Sequence, residues 1–147
     1  MEFRKMSLED VPQVLALERQ CFSEPWSEED LKKAARDSLY YYVVAAEDGK
    51  LCGYAGMLFA AEEGQITNVA VIPERRRQGI AGGMLRELIR AALGHGAESL
   101  VLEVRESNEQ AISLYEKCGF VSLGIRPRFY RFPEEGARIM ELRPEKP

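Results

Sequence analysis

The sequence predicts one mixed α/β domain over residues 1–147, a mostly antiparallel sheet flanked by helices. Three observations carry this. β-rich runs follow one another between residues 40 and 71, the hydrophobic period lengthens to that of a helix from residue 79, and strand and helix patterns then alternate to the end. At 147 residues the chain is long enough to bury a substantial core and too short for two ordinary domains.

Glu2 to Met6 reads as a short opening strand. Ser7 with Asp10, and Ser27 with Asp30, have the spacing in which a hydroxyl caps the free amides of a helix and an acidic side chain returns the bond. The first helix is expected to bury Val11, Val14, Leu15 and either Leu17 or Ala16. The second starts after "FSEPWS" at 22–27, where Pro25 breaks the chain and Trp26 anchors the turn. "YYYVVAAE" and "KLCGYAGML" flank Asp48-Gly49, a pair suited to the left-handed backbone of a tight hairpin. A polar turn from Glu62 to Gly64 leads into a third strand, Gln65 to Val71.

Ile80, Met84, Leu85, Leu88, Ile89, Ala92 and Leu93 recur at helical spacing, and Gly94 and Gly96 supply the stop. "SLVLEVR" alternates, which places Leu100, Leu102 and Val104 on one face and Val101, Glu103 and Arg105 on the other. Ser107 with Gln110 predicts a further capping box, opening a helix that buries Ala111, Ile112, Tyr115 and Cys118 and ends at Gly119. Strands near 121–126 and 138–142 close the sheet.

Composition removes several classes of function. With 46% hydrophobic and 30% charged residues and no short-period repeat, this is the make-up of a globular protein. The start, "MEFRKMSLED", carries charge where a secretory leader needs an apolar core, and no apolar run approaches the ~18 residues of a membrane span. We therefore expect a cytoplasmic protein with no membrane partner. Cys21, Cys52 and Cys118 are odd in number and scattered, which suggests neither a disulfide framework nor a zinc pattern. His95 is the single histidine, so a histidine triad or multi-histidine metal site has almost no material, and no metal is expected. The net charge is −4, so the arginine run at 75–77 is a local feature of an acidic chain. A nucleic-acid binder more often has a broad basic face, and no direct nucleic-acid contact is expected.

That run belongs to "PERRRQGIAGGML" at 73–85, between a strand ending near Val71 and a helix starting near Gly79. A strand, a glycine-rich turn and a helix N-terminus together present unpaired amides and the positive end of a helix dipole, a place suited to phosphate. Gly79, Gly82 and Gly83 let a pyrophosphate approach the main chain, and Arg75, Arg76 and Arg77 add charge. The same residues also suit an ordinary turn and a solvated loop. Neither the Walker A nor the Rossmann spacing is present.

Arg76-Arg77-Gln78-Gly79-Ile80-Ala81 resembles the acetyl-CoA-binding signature [QR]-x-x-G-x-[GA] of the GCN-five-related N-acetyltransferases. "ITNVAVIPERRRQGIA" at 66–81, "LEVRESNEQAISLYEKCGF" at 102–120 and "FSEPWS" at 22–27 resemble the RimI-type branch, which acetylates the N-terminal alanine of a small-subunit ribosomal protein. The resemblance implies an acetyltransferase fold in which two neighbouring central strands splay apart. It implies that acetyl-CoA is bound by Val69, Ala70 and Val71 along its pantetheine arm, by Arg77, Gln78, Gly79, Ile80, Ala81 and Gly82 at its pyrophosphate, and by the Asn108 side chain. It further implies that Glu103 is the general base, Tyr115 the general acid, and the partner the N-terminal peptide of a ribosomal protein.

Without the resemblance, Glu103 reads as a surface glutamate and Tyr115 as one member of an apolar helical stripe. Cys118 lies at a helix end without a histidine, which favours packing over an acetyl-cysteine route. Glu24, Glu28, Glu29, Asp30, Glu62, Glu63, Glu134 and Glu135 suit a basic acceptor peptide, or simply helix starts and surface. The chain departs from the branch in "FYRFPEEGARIM" at 129–140. Phe129 stands where a tyrosine is common, Arg131 and Phe132 intervene, and Gly136 precedes Ala137, while Tyr130 is kept as a candidate acceptor-site residue. Two rivals are another acetyltransferase specificity, for a polyamine or antibiotic amine, and a non-catalytic acetyl-CoA-binding regulator.

Overall fold

In the computed structural model, which describes residues 1–22, 25–131 and 133–144, Asp48 and Gly49 take the left-handed backbone expected of them (φ 52° and 79°). They join β2 (Tyr40–Glu47) to β3 (Lys50–Ala60). A second hairpin turns at Ala61, φ 55°, and leads to β4 (Glu63–Val71), so the third strand begins two residues earlier than its polar start suggested. With β1 (Glu2–Lys5) on the far side of β2, four antiparallel strands lie side by side.

The remaining strands are β5 (Ser99–Arg105), β6 (Val121–Tyr130) and β7 (Glu135–Leu142). The sheet order is β1-β2-β3-β4-β5-β7-β6, and β4 runs parallel to β5. Both closing strands run further than expected, because bulges between Ser122 and Gly124 and between Arg126 and Tyr130 carry the β6–β7 pairing past the break at Pro127.

Among the described residues, four α-helices cover the faces: α1 (Val11–Cys21), α2 (Glu28–Arg36), α3 (Ile80–His95) and α4 (Glu109–Lys117). On one side, Val43, Ala45, Ala55 and Met57 pack with Met84, Leu85 and Leu88 of α3. On the other, Tyr42, Val44 and Tyr54 pack with Val11, Val14 and Leu17 of α1 and Leu31 of α2. The apolar run in β2 is continuous because alternate residues enter two cores, each buried aliphatic side chain contributing roughly 1.5–3 kcal/mol.

Leu17 rather than Ala16 takes the buried place on α1. Ser27 caps α2 as predicted, its Oγ accepting from the Asp30 N–H at 3.1 Å. Gly96, φ 87°, ends α3, and the Ala97 N–H returns to the Ala92 carbonyl at 2.9 Å. The cap predicted from Ser107 and Gln110 is a correction: Asn108 occupies the N-cap of α4, its Oδ1 accepting from the Ala111 N–H at 3.2 Å. The Ser107 N–H donates instead to Glu135 at 2.7 Å.

Candidate active site

β4 and β5 pair only at Glu63–Ser99, Gly64–Leu100 and Gln65–Val101, although β4 continues to Val71 and β5 to Arg105. Beyond the third pair the strands part, so alternate backbone groups from Ile66 to Val71 face a gap instead of a neighbour. Two cavities, of about 740 and 720 Å³, open at this gap. Val69, Asn108 and Tyr115, with Cys21 and Phe22, line both.

The first cavity is also lined by Ala70, Val71, Arg75–Arg77, Gly79–Gly82, and Gln110 and Ala111 of α4. Gly79 holds φ 79°, and nothing lies within 4 Å of the place a Cβ would take. The first helical bond of α3 runs from the Gly83 N–H to the Gly79 carbonyl at 3.0 Å, and no side chain caps the end, so the amides of Ile80, Ala81 and Gly82 precede the hydrogen-bonded ladder.

The three arginines divide their work. Arg75 pairs with Glu47 and holds Gln78 through its Nε at 2.9 Å. Arg76 donates from Nε to the Val71 carbonyl at 3.1 Å, bracing the end of β4. Arg77, at φ 64°, lies against the Gln110 side chain across the cavity. Of the predicted cofactor residues, Val69, Ala70, Val71, Arg77, Gly79, Ile80, Ala81, Gly82 and Asn108 line this cavity, and Gln78 does not. The resulting surface, bare amides at a helix start beside cationic side chains, fits a diphosphate.

The second cavity is walled by Glu18, Trp26, Ile66–Asn68, Leu102–Arg105 and Phe129–Arg131. Glu103 is exposed to it, whereas Tyr115 is 8% exposed and packs its ring 5.8 Å from Phe120. Tyr115 is thus both a core residue and a cavity residue. Burial, with smaller contributions from Tyr130 and Cys118, pushes its phenol up to about 12. Tyr130 lies over the Arg105 guanidinium, 4.3 Å from Cζ to the ring centre, and burial together with the Glu103 charge raises its phenol too. Cys118 sits at the C-terminal cap of α4, packed against the core, with its thiol raised by burial.

The acidic residues that suited either a basic acceptor peptide or helix starts and surface mostly lie in local pairs and caps. Glu28 and Glu29 pair with Lys32, the Asp30 side chain accepts from the Ser27 N–H in the capping box of α2, Glu134 pairs with Arg128, and Glu135 holds Arg105 and Ser107. Glu62 and Glu63 lie at the closed end of the β4–β5 pair, and Glu24 and Phe132 fall outside the described residues. Among the described residues, the carboxylates that line the cavity are Glu103 and Glu18. Glu18 was missed, although it follows Val11 and Val14 on the buried stripe of α1, where a charge is out of place.

The Acetyltransferase (GNAT) family matches residues 11–120, three quarters of the chain. The chain belongs to this family. A Bacillus subtilis (strain 168) protein, provisionally named for ribosomal protein bS18-alanine N-acetyltransferase activity, is 36% identical over 138 residues, covering 93% of this chain and 91% of that one. The Escherichia coli (strain K12) ribosomal protein bS18-alanine N-acetyltransferase is 33% identical over 135 residues, 90% of each. The crystal structure of the Escherichia coli ribosomal-protein-S18-alanine N-acetyltransferase superposes with a TM-score of 0.87 at 31% identity, covering 97% of this chain and 92% of that one. Among the described residues of this GNAT chain, no helix is long and apolar enough to cross a membrane.

Proposed function

We propose that the protein is an N-α-acetyltransferase that moves acetyl from acetyl-CoA directly to the N-terminal alanine of a small-subunit ribosomal protein. The observation that supports this best is the meeting of two cavities at Val69, Asn108 and Tyr115, across the parted ends of β4 and β5. One has the chemistry of a nucleotide seat. The other is open enough for a peptide.

Acetyl-CoA supplies the acyl group as an activated thioester. The amides of Ile80, Ala81 and Gly82, with Arg77, hold the diphosphate, and the free edge of β4 at Val69–Val71 runs beside the arm. Backbone donors on that edge also stabilise charge as it develops on the acetyl oxygen. Glu103, exposed in the second cavity, receives the amine's proton through water. Tyr115 remains protonated at neutral pH and donates to the departing sulfur. A phenol at about 12 is a much weaker acid than a thiol near ~8.5, so a hydrogen bond that tightens as the C–S bond breaks carries this role, and the freed thiolate takes its proton from water afterwards.

The α-amine is favoured over lysine because only the neutral amine attacks. Reference values of ~8 and ~10.4 make neutral lysine scarcer by ~3 kcal/mol near pH 7. A peptide with a free N-terminal alanine and an internal lysine should therefore carry label on its first residue when mapped by mass spectrometry. Predominant lysine labelling would reject the proposal. Phe129 in the cavity wall supports a second reading, a relaxed choice of first residue. A panel varying only that residue separates the two, since a strict alanine enzyme turns over one member.

A further inference from the structure

Glu18 is 1% exposed, yet it lines the second cavity. Its Oε1 accepts from the Trp26 N–H at 2.9 Å, and the Asn68 Nδ2 approaches each carboxylate oxygen at 3.5 Å. Among the described residues Oε2 therefore has one long partner. Among the described residues Glu18 forms no ion pair. Burial outweighs these hydrogen bonds and raises its carboxyl above the usual range.

A buried carboxylate without a cation is costly, and one acceptor for the Trp26 N–H does not need a full charge on the buried stripe that Glu18 shares with Val11 and Val14. The surroundings are nonetheless built around it. A bulge in β4 at Thr67 turns Asn68 onto the Glu18 side of the sheet, and the Tyr42 hydroxyl donates to Asn68 Oδ1 at 2.8 Å. That bond orients the Asn68 amide so that its nitrogen faces the carboxylate. Among the described residues no cation pairs with this cluster, and it borders the second cavity.

We infer that Glu18 is the anionic seat on which the acceptor's α-ammonium docks before it loses its proton. The inference rests on the α-amine reading of the acceptor. A peptide N-terminus is mostly protonated near neutral pH, so it enters as a cation and the Glu18 carboxylate supplies the counter-charge in a site partly closed to water. Glu18 stays ionised throughout. The proton leaves towards water and Glu103, and no bond to Glu18 forms or breaks. Two carboxylates in one cavity thus divide the work, the buried one binding the charged amine and the exposed one receiving its proton.

The test compares an Ala-starting peptide with the same peptide carrying propionyl in place of alanyl, which removes only the ammonium. Calorimetry on the full chain saturated with CoA is expected to show the amine peptide binding at least about tenfold tighter to the wild type. In Glu18→Gln, of nearly the same shape, the ratio should fall to about one or two, with the propionyl peptide bound much as before. A merely structural role would weaken both peptides alike. Glu18→Asp, which keeps the charge, should retain a larger ratio than the glutamine variant, and Glu103→Gln should leave the ratio near that of the wild type. A wild type that binds both peptides equally, or a ratio kept in Glu18→Gln, would overturn the inference. Wild-type turnover of the amine peptide separates the two failures. Turnover with an unchanged ratio removes the Glu18 seat alone, and absent turnover removes the acceptor reading with it.

Discussion

Glu103→Gln and Tyr115→Phe should each lower turnover of an Ala-starting ribosomal peptide by about a hundredfold or more, while acetyl-CoA affinity stays within about twofold. The two substitutions are close to isosteric. Glu103 is exposed and serves no buried ion pair, so its amide counterpart leaves the fold intact. Tyr115 keeps its packing against Phe120 as a phenylalanine and loses only the hydroxyl at the meeting of the cavities. Loss of turnover with cofactor binding preserved places Glu103 at the proton transfer and the Tyr115 hydroxyl at the departing sulfur. Because burial pushes the Tyr115 phenol up to about 12, its ionisation should produce no alkaline fall in wild-type activity across the ordinary assay range. Full turnover in both variants would remove the two roles, and parallel loss of acetyl-CoA affinity would recast them as binding groups.

Gly56→Ala should destabilise the domain by roughly 3 kcal/mol and lower the melting temperature by about 6–12 °C. Gly56 pairs with Tyr42 on one side and Asn68 on the other, and the Tyr42 ring crosses it to reach the Asn68 amide. A Cβ at this position would meet two atoms of that ring at 2.2 Å. The ring cannot move aside easily, being 1% exposed and flanked by Trp26 at 5.8 Å and Tyr54 at 6.1 Å between ring centres. Any shift that does occur releases Asn68 and hence Glu18, so the peptide KM should rise while that of acetyl-CoA does not. Gly94→Ala is the control, since a Cβ there meets nothing within 4 Å and the helix gains up to ~1 kcal/mol. An unchanged melting temperature in Gly56→Ala would show that the Tyr42 ring has room to move.

Features set by neighbouring residues were legible from the chain itself. The Asp48-Gly49 turn, the Ser27 cap and the Gly96 stop each depend on a few positions, and each forms as expected. The helical stripe of α3 and the alternation of β5 likewise follow from single periods. What escaped depends on distant partners. Ser107 lost its capping place because Asn108, one residue on, takes the N-cap and accepts from the Ala111 N–H, while Glu135, 28 residues away, takes the Ser107 N–H. Asn68 follows Ile66 by two residues and by simple alternation would share its face. The bulge at Thr67 sends it to the opposite one, and no local pattern announces that.

The candidate site shows the same division. The arginine and glycine run pointed to an anion seat, but not to the separate tasks of Arg75, Arg76 and Arg77, which depend on Glu47, Val71 and Gln110. The parting of β4 from β5 is a matter of where a parallel pairing stops, so it was expected through family resemblance and not from residue types. Glu18 carried a usable signal, a charge on an apolar stripe, but its burial depends on contacts with Trp26 and Asn68 that no local pattern announces.

On the proposed function, the bare start of α3 grips a diphosphate and so aims the thioester through the gap between β4 and β5. Crystals grown with CoA test this most directly. Diphosphate density is expected against the amides of residues 79–82, with the sulfur at the meeting of the cavities beside Val69 and Tyr115. Density seated elsewhere on the protein, or an empty first cavity at saturating CoA, would contradict it.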